Sequence, residues 1–589
     1  MTGLPQDHAP VGAAARASRG GLVLIPLAAL IAVLPLIHNG YSCGHDFDFH
    51  LVNWFEAAKQ FSHGNLYPHW AYTPAFNAGE PRFVFYPPLS WMLGALLGLL
   101  LMHLPGVSEA AGWSAAPILF TWIALTASGL TFHRLARPFV SANAAVLAAT
   151  LYLANPYMLF TAYERTAYGE LLAAAWIPLL FHAMLRDRVT IPRVALPLAL
   201  LWLTNAPAAV MGSYTLAVLA AMRVVAGYRR SASGSAPELA TGAGIYSLQL
   251  ALRAMGGTAL GLGLAAFYVV PAAYERHFVQ IAMATITGMR IDQNFLFEHT
   301  GTSSDALDHD KVLHTASLIA VVLLIATVAA LAATLLRRKA RPSATAFPTL
   351  PLAILTAGIA FLLTPLSLPL WNHAPQASFL QFPWRLLAIL APILALATAH
   401  ALDRLPLKLA ATACAAVLLA IGFTHPAYDV FRQPCDPEDT APARLALFHS
   451  NAGTDPTDEY TPATADNDAL TSSAPPYWLA SSATGAPPAT TQPGPAPMHL
   501  SVAATQAEEL ILNLRNYPAW LVTVNGVPAE HPAERQDGLV AIAIPAGSST
   551  IDLRYVRTRD QTLGDAISGL ALVLFVWTLR DRPELRSAA

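Results

Sequence analysis

Apolar runs long enough to cross a bilayer as helices constrain this chain more than any other feature, since a spanning helix needs about 17–25 such residues. The runs lie near 21–38, 113–133, 140–156, 169–185, 191–204, 207–226, 247–272, 313–336, 349–370, 384–402, 407–424 and 562–579. Composition agrees, because 55% of the 589 residues are hydrophobic and only 12% are charged. The sequence therefore predicts a polytopic α-helical membrane protein with about twelve spans.

The distribution of basic residues predicts how these helices are oriented. If the apolar run at 86–104 is an interfacial or re-entrant element after Pro87-Pro88, more than half of the 34 Lys and Arg residues fall in short segments on one side. Those segments are 16–19, 134–137, 186–193, 223–230, 337–341, 404–408 and 580–586. Because short loops rich in Lys and Arg face the cytoplasm, we expect 1–20 and 581–589 to be cytoplasmic tails.

This orientation predicts the domain boundaries. A transmembrane domain covers 21–424 and includes a long first outer loop, 39–112. An outer soluble domain covers 425–560, and a final helix follows at 561–580. Within the outer domain, the Ala-, Pro- and Thr-rich segment 436–497 is predicted to be partly disordered. The segment 498–558 is β-rich, and its alternating runs at 510–514, 520–526, 538–545 and 550–556 predict a small β-sandwich.

The three cysteines have different expected environments. Cys414 lies inside an apolar run, which favours a buried, hydrophobic role. Cys43 and Cys435 both fall on the outer side, so a disulfide between them is one alternative. The sequence leaves that pairing open, because it does not give the separation of the two residues.

Asp46 and Asp48 follow the first predicted membrane helix, at the point where the chain is expected to leave the bilayer for water. Acidic residues at the edge of the hydrocarbon are functional candidates, because charge is costly inside it. A purely structural interpretation stays open, since Asp is a good N-cap and suits a first helical turn. Together with His45 and His50, the two carboxylates could also bind a divalent cation.

Further polar groups fall in the predicted outer segments, namely Glu164, Arg165, Glu170, His373 and Arg385. A carboxylate near arginine suits a reaction in which the carboxylate acts as a base and arginine binds a phosphate. The structural alternative is again open. Arg385 opens an apolar helix and could snorkel to the interface, and Arg165 has two flanking glutamates with which it could pair.

The sequence lacks features that are typical of several function classes. The net charge of −2 provides no bulk basic field for nucleic acid. We find no phosphate-cradling glycine loop, no nucleophile elbow and no haem motif. These observations favour chemistry at the outer membrane surface, with the lipid bilayer as one partner.

The outer segments also resemble a known family. The motifs are His45-Asp46 with His50, Gly64-Asn-Leu-Tyr-Pro-His-Trp70, Gly79-Glu-Pro, Phe85-Tyr-Pro-Pro-Leu89, Glu164-Arg165, Leu203-Thr-Asn205, Leu380-Gln-Phe-Pro-Trp-Arg385, Asn516-Tyr-Pro-Ala-Trp520, Val524-Asn-Gly526 and Pro545-Ala-Gly547. In this order they resemble bacterial membrane proteins of the GT-C glycosyltransferase superfamily, nearest the "6-pyruvoyl-tetrahydropterin synthase-related" and YfhO-type groups. Each motif is loose, and their order is the specific part.

The resemblance implies a GT-C-like helical bundle in a bacterial inner membrane, with juxtamembrane helices in the first outer loop and an outer C-terminal domain. It implies transfer of a sugar from a polyprenyl-phosphate-linked donor to an unknown glycan, lipid or protein acceptor. Asp46 would be the catalytic base and Asp48 the second carboxylate, with a divalent cation as one option. The residues expected to bind substrate or phosphate are His50, Arg82, Tyr86, Glu164, Arg165, His373 and Arg385. A lipid or glycan transporter and a non-catalytic assembly protein are the alternatives.

Overall fold

The structure, a computed structural model, describes residues 11–233, 237–336, 346–403, 405, 408–480, 492–529 and 535–580. Several sequence predictions lie outside these residues: the basic segment 337–341, Arg404, the tails 1–10 and 581–589, and the part of the predicted disordered segment at 481–491. The chain divides into two compact units. We call them the helical unit, Met1–His45, Pro117–Gly261 and Gly288–Pro434, and the composite unit, Asp46–Ala116, Leu262–Thr287 and Cys435–Ala589.

The helical unit contains most of the apolar helices. They are α1 (Val11–Asn39), most of α5 (Glu109–Ala136), α6 (Ala142–Leu153), α7 (Pro156–Tyr163), α8 (Tyr168–Ala173), α9 (Ile177–Leu185), α10 (Ile191–Thr204), α11 (Ala206–Ser233), most of α12 (Pro237–Leu264), α14 (Ser304–Leu336), α15 (Thr349–Leu362), α16 (Leu368–His373), α17 (Leu387–Leu402) and α18 (Leu409–Phe431).

The predicted membrane helices are largely confirmed. In the described part of the chain, eight helices are long and apolar enough to cross a membrane, and three bent helix pairs raise the number to eleven. The difference from the twelve predicted spans comes from 191–204, which forms a helix of 14 residues, shorter than a bilayer normally requires. These helices support a multi-pass membrane protein.

Proline residues explain where two of the helix pairs bend. The α6–α7 pair bends by 40°. There Asn155 caps the new helix by accepting from the backbone N–H groups of Tyr157 and Met158, and Pro156 opens it. The α15 helix and the segment Pro365–His373 meet at 97°. Because proline cannot continue a helix that precedes it, both breaks follow from local sequence.

The composite unit joins the first loop to the C-terminal region. Its helices are α2 (Phe47–Ser62), α3 (Arg82–Phe85), α4 (Pro88–Met102), α13 (Ala266–Glu275), α19 (Ala441–His449) and α20 (Arg559–Arg580). Its strands are β1 (Tyr477–Leu479), β2 (His499–Ala504), β3 (Glu508–Arg515), β4 (Trp520–Val524), β5 (Val527–Pro528), β6 (Leu539–Ile544) and β7 (Gly547–Tyr555). The run at 86–104 is thus a helix of 15 residues, too short for an ordinary span.

The strands form two antiparallel sheets that share one core. The sheet orders are β1-β3-β6 and β2-β7-β4-β5. The shared core takes Leu510 and Ile542 from the first sheet, and Val522 and Ile551 from the second. The predicted β-sandwich is therefore present, with strands β1, β2 and β5 in addition to the four predicted. The segment 436–480 contains α19 and several 3-10 turns among the described residues.

The other face of the three-stranded sheet is covered by the first loop. Ala75 and Ala78 pack with Trp478, Ile511 and Ala541 in a second buried cluster. The backbone N–H of Arg515 also donates to the carbonyl of Ala78 at 2.9 Å. This organisation differs from the sequence division at 424/425, because the contacts join residues more than 400 positions apart.

The cysteines differ from expectation at one position. Cys43 and Cys435 are each disulfide-bonded. Cys414 is free and exposed on α18, so its predicted burial is wrong. An apolar run does not say which side of a helix contacts protein and which side contacts lipid, and this explains the error.

A pair of glycines on α4 accommodates two tryptophan rings. Gly94 and Gly98 are one helical turn apart. An ideal Cβ at Gly94 would lie 2.1 Å from the Trp54 ring, and one at Gly98 would lie 1.9 Å from the Trp113 ring. Both indoles are fully buried. Close packing of this juxtamembrane helix therefore requires the absence of side chains at both positions.

We expect Gly94→Ala to destabilise the protein by about 1–3 kcal/mol, the usual range for overpacking a core, because its methyl group would overlap the Trp54 ring. Thermal unfolding of the detergent-solubilised protein measures the effect. The matched control is Gly422→Ala, where a Cβ would meet no atom within 4 Å. That control should be neutral or slightly stabilising. Equal stability of the two variants would contradict the packing account.

Candidate functional site

Asp46 is the N-cap residue of α2, but its side chain does not make the capping hydrogen bond. The structure therefore does not support the interpretation that the Asp46 side chain caps α2. The backbone carbonyl of Asp46 accepts from the N–H of His50 at 3.2 Å, so the two residues are one turn apart as predicted. The chain just before Asp46 belongs to the helical unit.

That preceding segment is held firmly within the helical unit. Ser42 Oγ donates to the carbonyl of Tyr163 at 2.7 Å, and the backbone N–H of His45 donates to the carbonyl of Glu164 at 3.3 Å. An ideal Cβ at Gly44 would lie 2.2 Å from that same carbonyl oxygen. Glycine is thus required at position 44, and the chain is fixed at the residue that precedes Asp46.

Asp48 lies in the first turn of α2 and forms an ion pair. Its carboxylate is 3.5 Å from Arg444 Nη2, which also binds Asp439 at 2.5 Å. The side chain of Asp48 is 48% exposed. Such pairs contribute little to stability, so Asp48 stays available to solvent and to ligands.

His50 is buried on α2 and contacts Tyr86, which follows α3. The Tyr86 hydroxyl and His50 Nε2 are 3.5 Å apart, and the rings meet edge to face at 5.6 Å. Phe49 packs on Tyr86 with ring centroids 5.1 Å apart. The structure therefore brings together two of the predicted substrate-binding residues, one from each end of the first loop.

Arg82, another predicted substrate-binding residue, has its guanidinium group engaged inside the composite unit. Its Nε donates to Glu80 at 2.7 Å, Nη1 to Asn53 at 3.0 Å, and Nη2 to Thr457 at 2.7 Å. Glu80 in turn accepts from the backbone N–H of Thr457 at 3.0 Å. Since arginine and glutamate are both buried, this geometry favours a structural role for Arg82.

In the helical unit, Glu170 on α8 is buried between two guanidinium groups. Its Oε2 is 2.6 Å from Arg165 Nη1 and 3.4 Å from Arg385 Nε. Tyr157 donates a hydrogen bond to the other carboxylate oxygen. All three charged residues are less than 9% exposed. The expected internal pairing of Arg165 is confirmed.

Arg385 does not snorkel towards water, and that alternative is wrong. It is buried, and its Nη1 donates to the carbonyl of Leu380 at 2.9 Å and to Gln381 Oε1 at 3.1 Å. Its guanidinium also lies 4.9 Å from the Phe382 ring, while Arg165 lies 4.9 Å from the Trp384 ring. Because Phe382 and Trp384 are stacked on each other, both cations rest on one aromatic platform.

Glu164 has a different environment from Glu170. Gln433 Nε2 donates to its carboxylate at 2.6 Å. Burial raises the pKa of the Glu164 carboxyl above its ordinary value, although the Gln433 hydrogen bond opposes that shift. The Glu164 carboxylate therefore binds a proton at a higher pH than an exposed glutamate does.

His373 is not joined to any of these groups by the described contacts. It is exposed at the end of α16, and its Nδ1 bonds the carbonyl of Pro369 in the same helix. The sequence analysis, in turn, overlooked the partners of the predicted arginines. Tyr157, Glu80 and Thr457 carry no distinguishing pattern, and only the position of Glu80 two residues before Arg82 could have suggested a pair.

A preformed cation site is not evident in the described ranges. No group of three or more His, Cys, Asp or Glu side chains is arranged there to hold a metal ion. The expected ligand set around Asp46 and Asp48 is therefore not assembled from the protein's own described side chains.

Comparison with known proteins finds partial likeness to solved membrane enzymes. No protein-family model and no curated protein matches this chain. A cryo-EM structure of the arabinofuranosyltransferase AftD from Mycobacteria has a TM-score of 0.38 and 16% identity over 74% of this chain. The apo oligosaccharyltransferase of Archaeoglobus fulgidus has a TM-score of 0.39 and 16% identity over 71%. Its complex with Zn and sulfate has a TM-score of 0.38 and 17% identity over 70%.

The chain spans 28% of the length of the first of these structures, and 57% and 54% of the other two. Likeness at this level assigns no role to any residue and no substrate to this chain. The chemistry of the candidate site must therefore follow from its own side chains.

We expect Glu170→Gln to destabilise the protein by about 3–5 kcal/mol, the usual loss when one partner of a buried ion pair is removed. The substitution keeps the shape of the side chain but leaves Arg165 and Arg385 without the carboxylate between them. Thermal unfolding in detergent, followed by tryptophan fluorescence, measures the loss. An unfolding temperature equal to that of the unmodified protein would contradict this account.

Glu164→Gln is the matched control and should change stability by less than about 1 kcal/mol at neutral pH. Because the folded-state pKa of Glu164 is raised above 4.5, the folded protein retains this proton where the unfolded chain has lost it. That contribution to stability is complete below pH 4.5 and is lost as the pH rises through the folded pKa. The stability difference between Glu164→Gln and the unmodified protein should therefore change across that window, and a constant difference would argue against the raised pKa.

Proposed function

We propose that this protein is a membrane glycosyltransferase that moves a sugar from a polyprenyl-phosphate-linked donor to a hydroxyl group of an acceptor on the outer face. The observation that carries the proposal is the buried group of Arg165, Glu170 and Arg385. Two guanidinium groups and one carboxylate give this trio a net charge of +1. Two guanidinium groups held side by side on stacked aromatic rings suit an anionic ligand.

In this proposal Arg165 and Arg385 stabilise the phosphate that leaves the donor. Negative charge grows on that phosphate as its bond to the sugar breaks, and fixed donors placed in advance stabilise such charge. Glu170 and the aromatic platform hold the two guanidinium groups in position. Glu170 is thus a positioning residue.

Asp46 is the proposed base. The acceptor oxygen attacks the anomeric carbon, the bond from that carbon to the phosphate oxygen breaks, and the acceptor proton passes to the Asp46 carboxylate. The leaving phosphate retains the electron pair of the broken bond. The configuration at the anomeric carbon is inverted, because attack and departure occur on opposite sides of it. One observation supports this role: the chain is fixed at the preceding residue, because the His45 backbone N–H donates to the carbonyl of Glu164.

The other predicted residues take narrower roles. Asp48, half-exposed and paired with Arg444, assists by its charge. His50 and Tyr86 form a contact suited to the sugar, and Glu164 suits proton exchange. Arg82 and His373 are not assigned to substrate, because Arg82 is bound internally and His373 is exposed on its own helix. No step is routed through a divalent cation, since the described residues do not form a site for one.

The membrane placement is part of the proposal. Basic residues in the short loops support a cytoplasmic N-terminus in a bacterial inner membrane, with the first loop and the β-sandwich on the outer side. No cytoplasmic nucleotide-sugar motif is present in the sequence, which favours a lipid-linked donor.

Asp46→Asn should reduce sugar transfer by at least about 100-fold, since removal of a general base typically has this effect, while the unfolding temperature stays unchanged. The assay uses purified protein with polyprenyl-phosphate-linked hexose and pentose donors and measures release of polyprenyl phosphate. The control, Asp455→Asn, removes an exposed carboxylate from the same unit and should leave the rate unaltered. Undiminished transfer by Asp46→Asn would remove Asp46 from the role. Absence of release by the unmodified protein with every donor would favour the non-catalytic alternative.

Arg385→Lys should lower kcat/KM for the donor by about 100-fold or more, the usual effect of losing an oxyanion-stabilising donor, although the positive charge is retained. Lysine cannot reproduce the planar fork that contacts Glu170, Gln381 and the Phe382 ring. Arg276→Lys changes an exposed arginine and serves as the control. If both variants reduce the rate equally, the effect is not specific to Arg385.

A further inference from the structure

A cavity of about 410 Å³ opens in the composite unit, next to the β-sandwich, and its described lining contains none of the predicted site residues. Its lining includes His277, Phe278, Asn516, Pro518 and Arg535. Its volume falls within the range of about 300–1,000 Å³ that is usual for small-molecule sites.

One wall of the cavity is a short antiparallel pairing between two distant segments. Val279 pairs with Pro462, and the backbone N–H of Ala463 donates to the carbonyl of Phe278 at 2.9 Å. Gln280 Nε2 then donates to the carbonyl of Pro462 at 3.1 Å. These bonds hold the Phe278 side chain at the cavity edge.

Two tight turns also line the cavity. The backbone N–H of Trp520 donates to the carbonyl of Tyr517 at 2.9 Å in the first, and that of Gly538 donates to the carbonyl of Arg535 at 3.0 Å in the second. The backbone N–H of Asn516 joins the two turns by donating to the carbonyl of Gly538 at 2.8 Å. Gly538 has a φ of +69°, and an ideal Cβ there would lie 2.8 Å from Ala465 Cβ. Glycine is therefore needed at this position, and the cavity is built before any ligand arrives.

Aromatic and proline rings supply the apolar part of the cavity lining. Phe278 meets Tyr517 edge to face at 6.1 Å, and the His277 ring lies 3.8 Å from the Phe278 ring. His277 and Pro518 are exposed, and Phe278 is half-buried. Such surfaces suit the apolar face of a sugar ring, since amphipathic rings combine large contact area with few degrees of freedom.

The arginine in the cavity lining is paired with a carboxylate. Arg535 Nε and Nη2 donate to the two oxygens of Asp537 at 2.9 and 2.6 Å, and Asp537 also accepts from the backbone N–H of Leu539 at 3.0 Å. This arrangement uses two of the five N–H groups of the guanidinium. Half-buried Asn516 adds a neutral amide. A phosphate would favour an arginine without such a carboxylate partner, so the chemistry matches a neutral, hydroxyl-rich ligand.

We infer that this cavity binds a neutral glycan, with sugar rings on Phe278 and Pro518 and hydroxyl groups on Asn516 and Arg535. Resting on the proposed function, the inference makes this glycan the acceptor chain of the transferase. The cavity would retain the acceptor between transfers and so lower its KM without taking part in the chemistry.

The experiment measures binding of neutral glucan, mannan, galactan and arabinan oligosaccharides to the full-length protein in detergent by isothermal titration calorimetry. We expect at least one oligosaccharide to bind. Arg535→Gln and Phe278→Leu, the second of which keeps the apolar volume, should each weaken that binding by at least about 10-fold, the loss of roughly one hydrogen bond or ring contact. Arg554→Gln, an exposed arginine on β7, is the control and should bind as the unmodified protein does.

Each possible result either supports the glycan-binding inference or overturns it. Absence of binding for every oligosaccharide, equal binding by the cavity variants and the control, or competition by an unstructured peptide instead of sugar would overturn it. Unfolding temperatures of both cavity variants confirm that they are folded. Asp46→Asn should bind glycan normally but fail in transfer. Glycan binding without transfer by the unmodified protein would therefore refute the proposed function and leave the binding site intact.

Discussion

Glu170 lies 2.6 Å from Arg165 and 3.4 Å from Arg385, and all three residues are buried among apolar helices. Moving three charged groups out of water costs free energy. Their mutual attraction offsets this cost only when the geometry and the hydrogen bonds are good. Tyr157 and Gln381 provide hydrogen bonds to the trio, and stacked Phe382 and Trp384 contact its cations. Neutral residues of similar volume could fill this space at less cost, so the charges themselves need an explanation. The anionic lipid-linked donor proposed above would provide one.

In the composite unit, contacts with the C-terminal region help to order the long first loop. Part of the first loop packs on the β-sandwich, while its own helices α2 and α4 bury the rings of Trp54 and Trp91. Ala75 and Ala78 pack on the three-stranded sheet, and Asn77 Nδ2 donates to the carbonyl of Asn451 at 2.7 Å. Glu56 accepts from the backbone N–H of Thr73 at 2.6 Å. The β-sandwich thus serves as the scaffold that orders the loop which carries Asp46 and Asp48.

Much of the fold could be predicted from the sequence, because the features concerned are local. Apolar length predicted the spanning helices, alternation predicted β3, β4, β6 and β7, and Pro156 marks a real bend. The failures are equally physical. Strand β1 has three residues and derives its stability from pairing with β3, which no local pattern reveals. The exposure of Cys414 depends on which side of α18 meets other helices.

The same difference between local sequence features and remote contacts applies to the candidate site. Residue types and their order made Arg82, Arg165, Arg385 and the first-loop carboxylates candidates, but they did not predict which guanidinium group is fully occupied by contacts within the protein. Arg82 and Arg385 look alike in sequence, each close to proline and aromatic residues. Their difference lies in partners remote in the chain: Arg82 binds Thr457, 375 positions away, and has all three of its nitrogens engaged. Arg385 shares the Glu170 carboxylate with Arg165, and both guanidinium groups rest on the stacked rings of Phe382 and Trp384. Separating a structural arginine from a candidate functional one therefore requires knowledge of partners that are remote in the chain.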